Sequence, residues 1–281
     1  MSIATFIPTI WEARLLAHLD KNLVYGNLVN RDYEGDIRQQ GDTVKINQIA
    51  DITVKDYVKG TDITIDDVDG TPTTLTIDQN KYFAFKVEDV DAAQANVNLV
   101  DGAMNRASYA MRDVVDRFIA GFHTHAGVTT GLGTDATPLA ITSATKAYEY
   151  LVDLKGALDD ENVPADGRFV VVPSQFYGYL LKDSRFVSAG TQKTDAVLAN
   201  GYIGTAAGFQ IFQSNNVPNT DGSAYKILAG TRAAISFAQQ ITSTEALRME
   251  KAFSDMVRGQ LVFGAAVIQP KALACMTANF K

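Results

Sequence analysis

Residues 42–88 carry the sequence pattern that most restricts the fold of this chain. Around Val44 and again around Leu75, apolar residues alternate with polar ones, which is the two-residue period of a β-strand with one buried face. The residues between these two stretches are rich in turn formers and charges, above all at residues 59–62 and 66–72. We therefore predict one long β-hairpin over residues 42–88.

The predicted hairpin is long enough to protrude from the folded domain. At ~3.3 Å per residue, arms of about 15 residues reach ~50 Å, which exceeds the radius of a domain of this size. The acidic excess of the chain also lies in this region, because residues 31–101 hold 15 acidic and 7 basic side chains, whereas the rest holds 17 and 18. A two-stranded hairpin is marginally stable alone in water. It is therefore either mobile or laid against another subunit, and we favour the second.

Two stretches of helical periodicity flank the hairpin. Residues 8–24 place apolar side chains on every turn behind a proline, which predicts an amphipathic N-terminal arm that lies on its own body or on a neighbour. Residues 89–125 keep the helical period without any proline, and either Asp89 or Asp91 can serve as the N-cap. At 1.5 Å per residue, this single helix would span ~50 Å.

Four charged residues of the long helix are spaced for ion pairs on one turn. Arg112 and Asp116 stand four residues apart, and so do Asp113 and Arg117. Side chains at this spacing are neighbours on a helix surface. We therefore predict two exposed ion pairs, which gives these charges a structural role.

The second half of the chain alternates helices and strands. Ser143 is the predicted N-cap of a helix that runs to residue 160, and residues 168–172 are predicted to form a buried strand. The remaining predicted elements are a helix behind Pro173 over residues 174–182 and strands around 209–212, 226–229, 234–237 and 257–268, the last closed by Pro270. This order is typical of a compact α/β region.

Composition and charge exclude several functional classes. The 281 residues are 46% hydrophobic and 20% charged, as in folded globular proteins. A net charge of −7 argues against a DNA-binding domain held by a basic surface. Cys275 is the single cysteine, so the chain has neither an internal disulfide nor a cysteine cluster. Because no secretory signal and no run of ~18 apolar residues occurs, we expect a cytosolic protein with no membrane partner.

The residues that could carry chemistry do not form a recognisable site. His123 and His125 stand close together at the end of the long helix, but two ligands do not make a zinc site. Residues 131–136 spell G-x-G-x-x-A, yet a predicted helix precedes them instead of a strand. The acidic run around Asp69 lacks the first and last ligands of a calcium loop. Cys275 is predicted to be a small buried hydrophobe. We predict no catalytic residue, no cofactor and no metal.

Short motifs in a fixed order carry a resemblance that covers nearly the whole chain. They are Ile10-Trp11 with Leu15-Leu16, Asp32-Tyr33-Glu34-Gly35-Asp36-Ile37 before Gly41-Asp42-Thr43-Val44-Lys45-Ile46, Arg168 with Val170-Val171-Val172-Pro173, Gly201-Tyr202-Ile203-Gly204 before Gly208-Phe209-Gln210-Ile211, and Gly264-Ala265-Ala266-Val267 with Pro270. Together with the order of the predicted elements, these motifs resemble the major capsid proteins of tailed bacteriophages, which have the Hong Kong 97-type shell fold.

The resemblance implies an α+β fold with named parts. These are an N-terminal arm over residues 1–41, an extended β-hairpin loop over 42–88, a peripheral domain with a long spine helix over 89–139, an axial α/β domain over 140–250, and a return to the peripheral domain over 251–281. It also implies that no enzymatic activity is present. Some relatives crosslink a lysine to an asparagine, and although Lys55 and Lys59 lie near the predicted hairpin tip, we assign no crosslink.

The function implied is that of a major capsid protein that self-assembles into the pentamers and hexamers of an icosahedral shell around packaged double-stranded DNA. The implied partners are other copies of the chain, a separate scaffolding protein, a portal and DNA contacted non-specifically, with decoration proteins left open. The implied location is the virion capsid, assembled in the cytoplasm of a bacterial host. Two alternatives remain at this point: an encapsulin-like cargo nanocompartment, and a cytosolic α/β enzyme that uses His123 or His125.

Overall fold

The structure is a computed structural model, and it describes residues 23–33, 41–46, 54–57, 59–60, 62, 72–88, 98–125, 127–187, 204–249 and 254–280. The predicted N-terminal helix lies almost entirely outside these residues. The same holds for the proposed helix caps Asp89 and Asp91 and for the acidic run around Asp69.

The first half of the described chain contains a short helix, three strands and one long helix. In chain order they are α1 (Tyr25–Leu28), β1 (Thr43–Ile46), β2 (Thr73–Thr76), β3 (Gln79–Glu88) and α2 (Asn98–Ala120), which a 3-10 turn (Gly121–Thr124) extends. The predicted long helix is confirmed over the 23 residues of α2. Its predicted first part, residues 89–97, lies outside the described residues.

The second half supplies the other elements. In chain order they are β4 (Thr129–Leu132), β5 (Leu139–Ala140), α3 (Ala144–Asp160), β6 (Arg168–Val172), α4 (Ser174–Leu181), α5 (Ser184–Val187), β7 (Thr205–Ala206), β8 (Phe209–Gln213), β9 (Asn219–Thr220), β10 (Ala224–Thr231), β11 (Ile235–Arg248), β12 (Ser254–Val267) and β13 (Leu273–Asn279). Ser143 caps α3 as predicted, because its hydroxyl accepts the Lys146 amide at 3.3 Å. Strand β13 was not predicted.

An eight-stranded mixed sheet forms the α/β body. Its main order is β4-β13-β10-β6-β8-β7, with β5 beside β13 and β9 beside β10. Strand β10 pairs antiparallel with both β6 and β13, and β6 runs parallel to β8. All five residues of β6 are buried, as are most of those in β10 and β13. Strands covered on both faces read as continuous apolar runs without alternation.

The first residue of β6 is a buried cation. The Arg168 side chain is almost wholly buried, and one of its terminal nitrogens lies 2.7 Å from Asp159 Oδ1 at the end of α3. Its Nε donates to the carbonyl of Pro164 at 2.9 Å. A buried charge is tolerated when it is paired and hydrogen-bonded in this way. Arg168 therefore fixes the end of α3 to the start of the sheet.

A three-stranded antiparallel sheet lies beside the long helix. Its order is β11-β12-β3, and helix α2 covers one of its faces. On this face the Phe118 ring of α2 meets the Phe263 ring of β12 at 5.4 Å. Strand β3 pairs with β12 along all ten of its residues, with Phe83 opposite Gly259. The prediction of one hairpin over residues 42–88 is therefore wrong for Gln79–Glu88, which pair instead with a strand from the end of the chain.

The residues after position 250 divide between the two sheets. Strand β12 is the central strand of the three-stranded sheet, whereas β13 lies inside the eight-stranded sheet between β4 and β10. Strand β11, which falls inside the segment expected to form the axial region, also belongs to the three-stranded sheet. The chain thus passes from the α/β body into β11 and β12 and then returns through β13.

Residues 23–33 are attached to their own body. The Asn30 amide donates to the Ile235 carbonyl at 2.9 Å, and the Phe237 amide donates to the Asn30 carbonyl at 2.8 Å. Helix α1 packs on α2, where Asp116 Oδ2 accepts the Val24 amide at 3.0 Å and Oδ1 accepts the Gly26 amide at 3.3 Å. The described end of the N-terminal arm therefore docks on its own chain.

Only one of the two predicted ion pairs on the long helix forms. Arg117 lies 3.0 Å from Asp113, as predicted. The Arg112–Asp116 prediction is wrong, because Asp116 is 1% exposed and turns towards the backbone of α1. Arg112 instead stacks over the Tyr109 ring at 4.2 Å from its centre. Burial raises the pKa of Asp116 more than its amide hydrogen bonds and the Arg112 charge lower it.

We expect Asp116→Ala to destabilise the subunit by about 1–3 kcal/mol, because it leaves buried amides without an acceptor. The pH dependence has a definite sign. Since folding raises the pKa of Asp116, this carboxyl favours the folded state below its unfolded pKa, and that contribution is lost as pH rises through the folded value.

Urea unfolding of wild type and Asp116→Asn between pH 4 and 7 tests this sign, because the asparagine does not titrate. The free energy of unfolding of wild type, relative to the variant, should decrease as pH rises. A relative increase with pH would contradict the raised pKa.

Candidate assembly surface

The base of the predicted hairpin is confirmed. Strands β1 and β2 pair antiparallel, with Val44 opposite Leu75 and Ile46 opposite Thr73. Behind this pair, the Gly41 amide donates to the Ile77 carbonyl at 2.9 Å. In the other direction, the Ile77 amide donates to the Asp42 carbonyl at 3.1 Å. We call residues 41–46 and 72–78 the hairpin root. Backbone hydrogen bonds join its two segments both within the β1–β2 pair and behind it.

The hairpin root is seated on the face of the three-stranded sheet that is opposite α2. A small hydrophobic cluster joins the two parts, and its buried members are Ile46, Leu75, Ile77, Ala238 and Val262. Leu75 and Ile77 are fully buried there. Alternate residues of a strand point to opposite faces, so Val262 reaches the root while its neighbours Leu261 and Phe263 face α2. Strand β12 thus carries packing on both faces.

Beside the root, the same outer face carries an open groove. The groove has a volume of ≈ 840 Å³, and it is lined by Asn80, Tyr82, Ala84, Glu245, Met256, Arg258, Gly259 and Gln260. Its charges are paired, because Arg258 Nε donates to Glu245 Oε2 at 2.9 Å, and Gln260 donates to Asn80 at 2.8 Å. The Tyr82 side chain is 80% exposed at the groove.

Apolar side chains are also exposed at residues 54–57, in the segment that the sequence predicts to continue the hairpin beyond its root. Val54 is 96% exposed and Tyr57 is 73% exposed. Burying such an exposed apolar side chain would contribute about 1.5–3 kcal/mol, and the isolated chain lacks this contribution. The groove and these hairpin residues are therefore two exposed surfaces that can each be covered by another molecule.

The histidines and the glycine-rich motif do not come together in a site. His123 Nδ1 lies 2.9 Å from the Ala120 carbonyl oxygen, and His125 is exposed at the end of the same turn. A short strand, β4, leads into the G-x-G-x-x-A motif and includes its first two residues, which corrects the expectation of a helix directly before it, but the next helix begins only at Ala144. Within the described residues, no group of three or more His, Cys, Asp or Glu could hold a metal ion.

Cys275 lies in the interior of the eight-stranded sheet. It belongs to β13 opposite Leu228, and it is buried as predicted. Burial raises the pKa of its thiol to about 11, with the nearby Lys226 opposing that rise. A thiol with this pKa is protonated at neutral pH and is a poor nucleophile. Lys226 itself is buried, pairs with Asp135, and has a pKa lowered by desolvation.

Sequence reasoning missed the groove. The groove exists because β3 pairs with β12, whose residues lie about 180 positions further along the chain. The alternation of exposed Asn80, Tyr82 and Ala84 with partly buried Phe83 and Phe85 was a usable signal for a strand with one solvent face. It did not reveal the partner strand. No described helix is long and apolar enough to cross a membrane.

Comparisons with known proteins agree with this architecture. Residues 49–276 match the family described as phage capsid protein. A solved chain from Mycobacterium phage Che8 is 32% identical, with 91% of each chain covered and a TM-score of 0.76. The capsid of cyanophage P-SCSP1u is 15% identical, with 92% of this chain and 89% of that one covered and a TM-score of 0.69.

A virus-like particle from Pyrococcus furiosus is 14% identical, with 95% of this chain and 97% of that one covered and a TM-score of 0.59. At this identity, as for the cyanophage protein, the likeness shows the fold alone. A comparison with curated proteins gives no match.

The two sheets, the long helix and the rooted hairpin define a shell protein of the Hong Kong 97 type. The chain belongs to the phage capsid protein family. It is therefore a structural protein of a phage capsid, and the encapsulin-like alternative is not favoured.

We expect Leu75→Ala to loosen the hairpin root without unfolding the body. Removing a fully buried leucine costs about 2–5 kcal/mol, and here the loss falls on a small separate cluster. Hydrogen exchange should accelerate in residues 41–46 and 73–78 and stay unchanged in β6 and β10. Thr74→Ala, at an exposed position of the same strand, is the control. Equal acceleration in β6 would show that the root is not an independent unit.

Proposed function

We propose that this chain is the major capsid protein that assembles into the pentamers and hexamers of an icosahedral shell enclosing packaged double-stranded DNA. One observation carries the proposal beyond the family assignment: the hairpin is fixed at its root, while Val54 and Tyr57 further along it are uncovered by their own chain. A two-stranded extension gains stability when a further surface covers it. In a closed lattice every copy supplies that surface to the next.

The open groove is the part of the body that fits this role. It lies on the same face as the hairpin root, so the hairpin of one copy and the groove of the next can occupy one layer of the shell. The exposed Tyr82 ring and the Met256 side chain offer apolar area to Val54 and Tyr57 of a second copy. Arg258 and Glu245 neutralise each other, so that docking leaves no unpaired charge buried.

The proposed division of the chain follows its sheets. The N-terminal arm keeps residues 1–41, and the extended loop is shortened to 42–78 because β3 pairs with β12. The peripheral domain then combines residues 79–125 with 235–268, and the axial domain combines 127–234 with 270–280. Helix α2 serves as the spine of the peripheral domain, on the face of its sheet that the hairpin does not use.

The proposed partners follow from the shell. Other copies provide the lattice contacts, a separate scaffolding protein guides assembly in the bacterial cytoplasm, and a portal occupies one opening. Packaged DNA is contacted non-specifically, since gripping phosphates would need clustered Lys and Arg whereas the chain carries a net charge of −7. The proposal includes no enzymatic step.

Shortening the hairpin tests the proposed lattice role. Ile46 and Thr73 are the last described pair of the root, so an Asn-Gly turn can replace residues 47–72 and close β1 onto β2. We expect a subunit with an unchanged α/β body that no longer forms stable shells, judged by circular dichroism and negative-stain microscopy. Shells of normal appearance from this variant would refute an intersubunit role for the hairpin.

A pair of variants at Ala84 tests the groove. Ala84 is an exposed floor residue, opposite Arg258 on β12. Because residues 42–78 of the hairpin hold 8 acidic and 3 basic side chains, Ala84→Glu should reduce shell yield more strongly than Ala84→Lys, which adds similar bulk with the opposite charge. Shell yield from purified subunits at low and high salt is the measurement. Equal yields from both variants and wild type would exclude the groove as the docking site.

A further inference from the structure

Strand β12 passes beneath the hairpin root at Gly264. A Cβ atom built on Gly264 would overlap the carbonyl oxygen of Thr76, and it would lie 2.9 Å from Ile77 Cα and 3.0 Å from Ile77 Cδ1. Thr76 and Ile77 are the residues at which β2 ends. Since the first two of these atoms belong to the backbone, rotation of a side chain cannot make room. Any residue larger than glycine must displace the root.

The root moves as one unit when it is displaced. Strands β1 and β2 are paired along all four residues, and the two backbone hydrogen bonds between Ile77 and residues 41–42 close the other end. A shift imposed on Thr76 and Ile77 is therefore passed to both strands.

A small shift at the root becomes a large one at the far end of the hairpin. Restoring ordinary contact at Gly264 needs a movement of roughly 1 Å. Four residues of paired strand span ~13 Å, so this movement tilts the root by ~4°. For a hairpin of the length predicted from the sequence, which reaches ~40 Å beyond the root, the tip then moves by ~3 Å. Close-packed interfaces do not absorb a misfit of that size.

Two other closely packed glycines among the described residues lie away from the hairpin root. A Cβ on Gly259 would meet the Phe83 ring at 2.5 Å, on the face towards α2. A Cβ on Gly230 would meet the Ala272 carbonyl oxygen at 2.6 Å, in the eight-stranded sheet. Neither position contacts the hairpin root. Gly230 therefore offers a substitution with the same kind of backbone overlap and no expected effect on the hairpin.

We propose that Gly264 is a positioning residue for assembly, which sets the angle at which the hairpin leaves the body and thereby the curvature of the shell. This inference rests on the proposed capsid function. In this inference, the absence of a Cβ atom at Gly264 determines which of several shell geometries the folded subunit forms.

The test compares Gly264→Ala with Gly230→Ala by electron microscopy of assembled particles. We expect Gly264→Ala to leave the melting temperature of the body close to that of wild type but to lower the fraction of closed shells of wild-type diameter about tenfold or more, in favour of open or differently sized assemblies. Gly230→Ala should lower the melting temperature, while the shells that do form keep the wild-type diameter.

A second variant keeps the test decisive if Gly264→Ala fails to fold. Ala238 lies opposite Gly264 on β11 and belongs to the cluster beneath the root, so Ala238→Val pushes on the root through a side chain. It should also lower the fraction of closed shells of wild-type diameter, by a smaller factor. Wild-type diameters from both Gly264→Ala and Ala238→Val would overturn the inference. If wild-type subunits with scaffolding protein form no shells at all, it is the proposed function that fails instead.

Discussion

The two-sided packing of β12 is the constraint on which the three-stranded sheet, the long helix and the hairpin root depend. One face of this strand holds the long helix through Leu261 and Phe263, and the other holds the hairpin root through Val262 and the bare backbone at Gly264. Both faces of this strand are therefore close-packed. The hairpin root is thereby joined to the rest of the protein through β12, with Ala238 of β11 beside it.

Most of the element types could be predicted from the sequence, since they depend on local signals. The period of the long helix, the Ser143 cap and the apolar run of β6 each lie within one segment. The hairpin base could be predicted as well, because apolar and polar residues alternate along β1 and β2. The pairing of β3 could not, since its pattern continues that of β2 and its partner lies far along the chain.

The residues whose environments were not predicted correctly have one feature in common: their burial depends on segments that are distant in the sequence. Asp116 stands at a surface-like spacing on its helix, and only the arrival of α1 encloses it. Strand β13 has no alternation because it is covered on both faces, and its small residues give little periodic signal. The candidate surface was predictable in its hairpin half, whereas the groove required the fold of the three-stranded sheet.

The inner position of β13 bears on how the protein is made. This strand pairs with both β4 and β10, yet it consists of residues 273–279. The α/β sheet therefore stays divided during synthesis until these residues have left the ribosome, and long-range closure of this kind is slow compared with local helix formation.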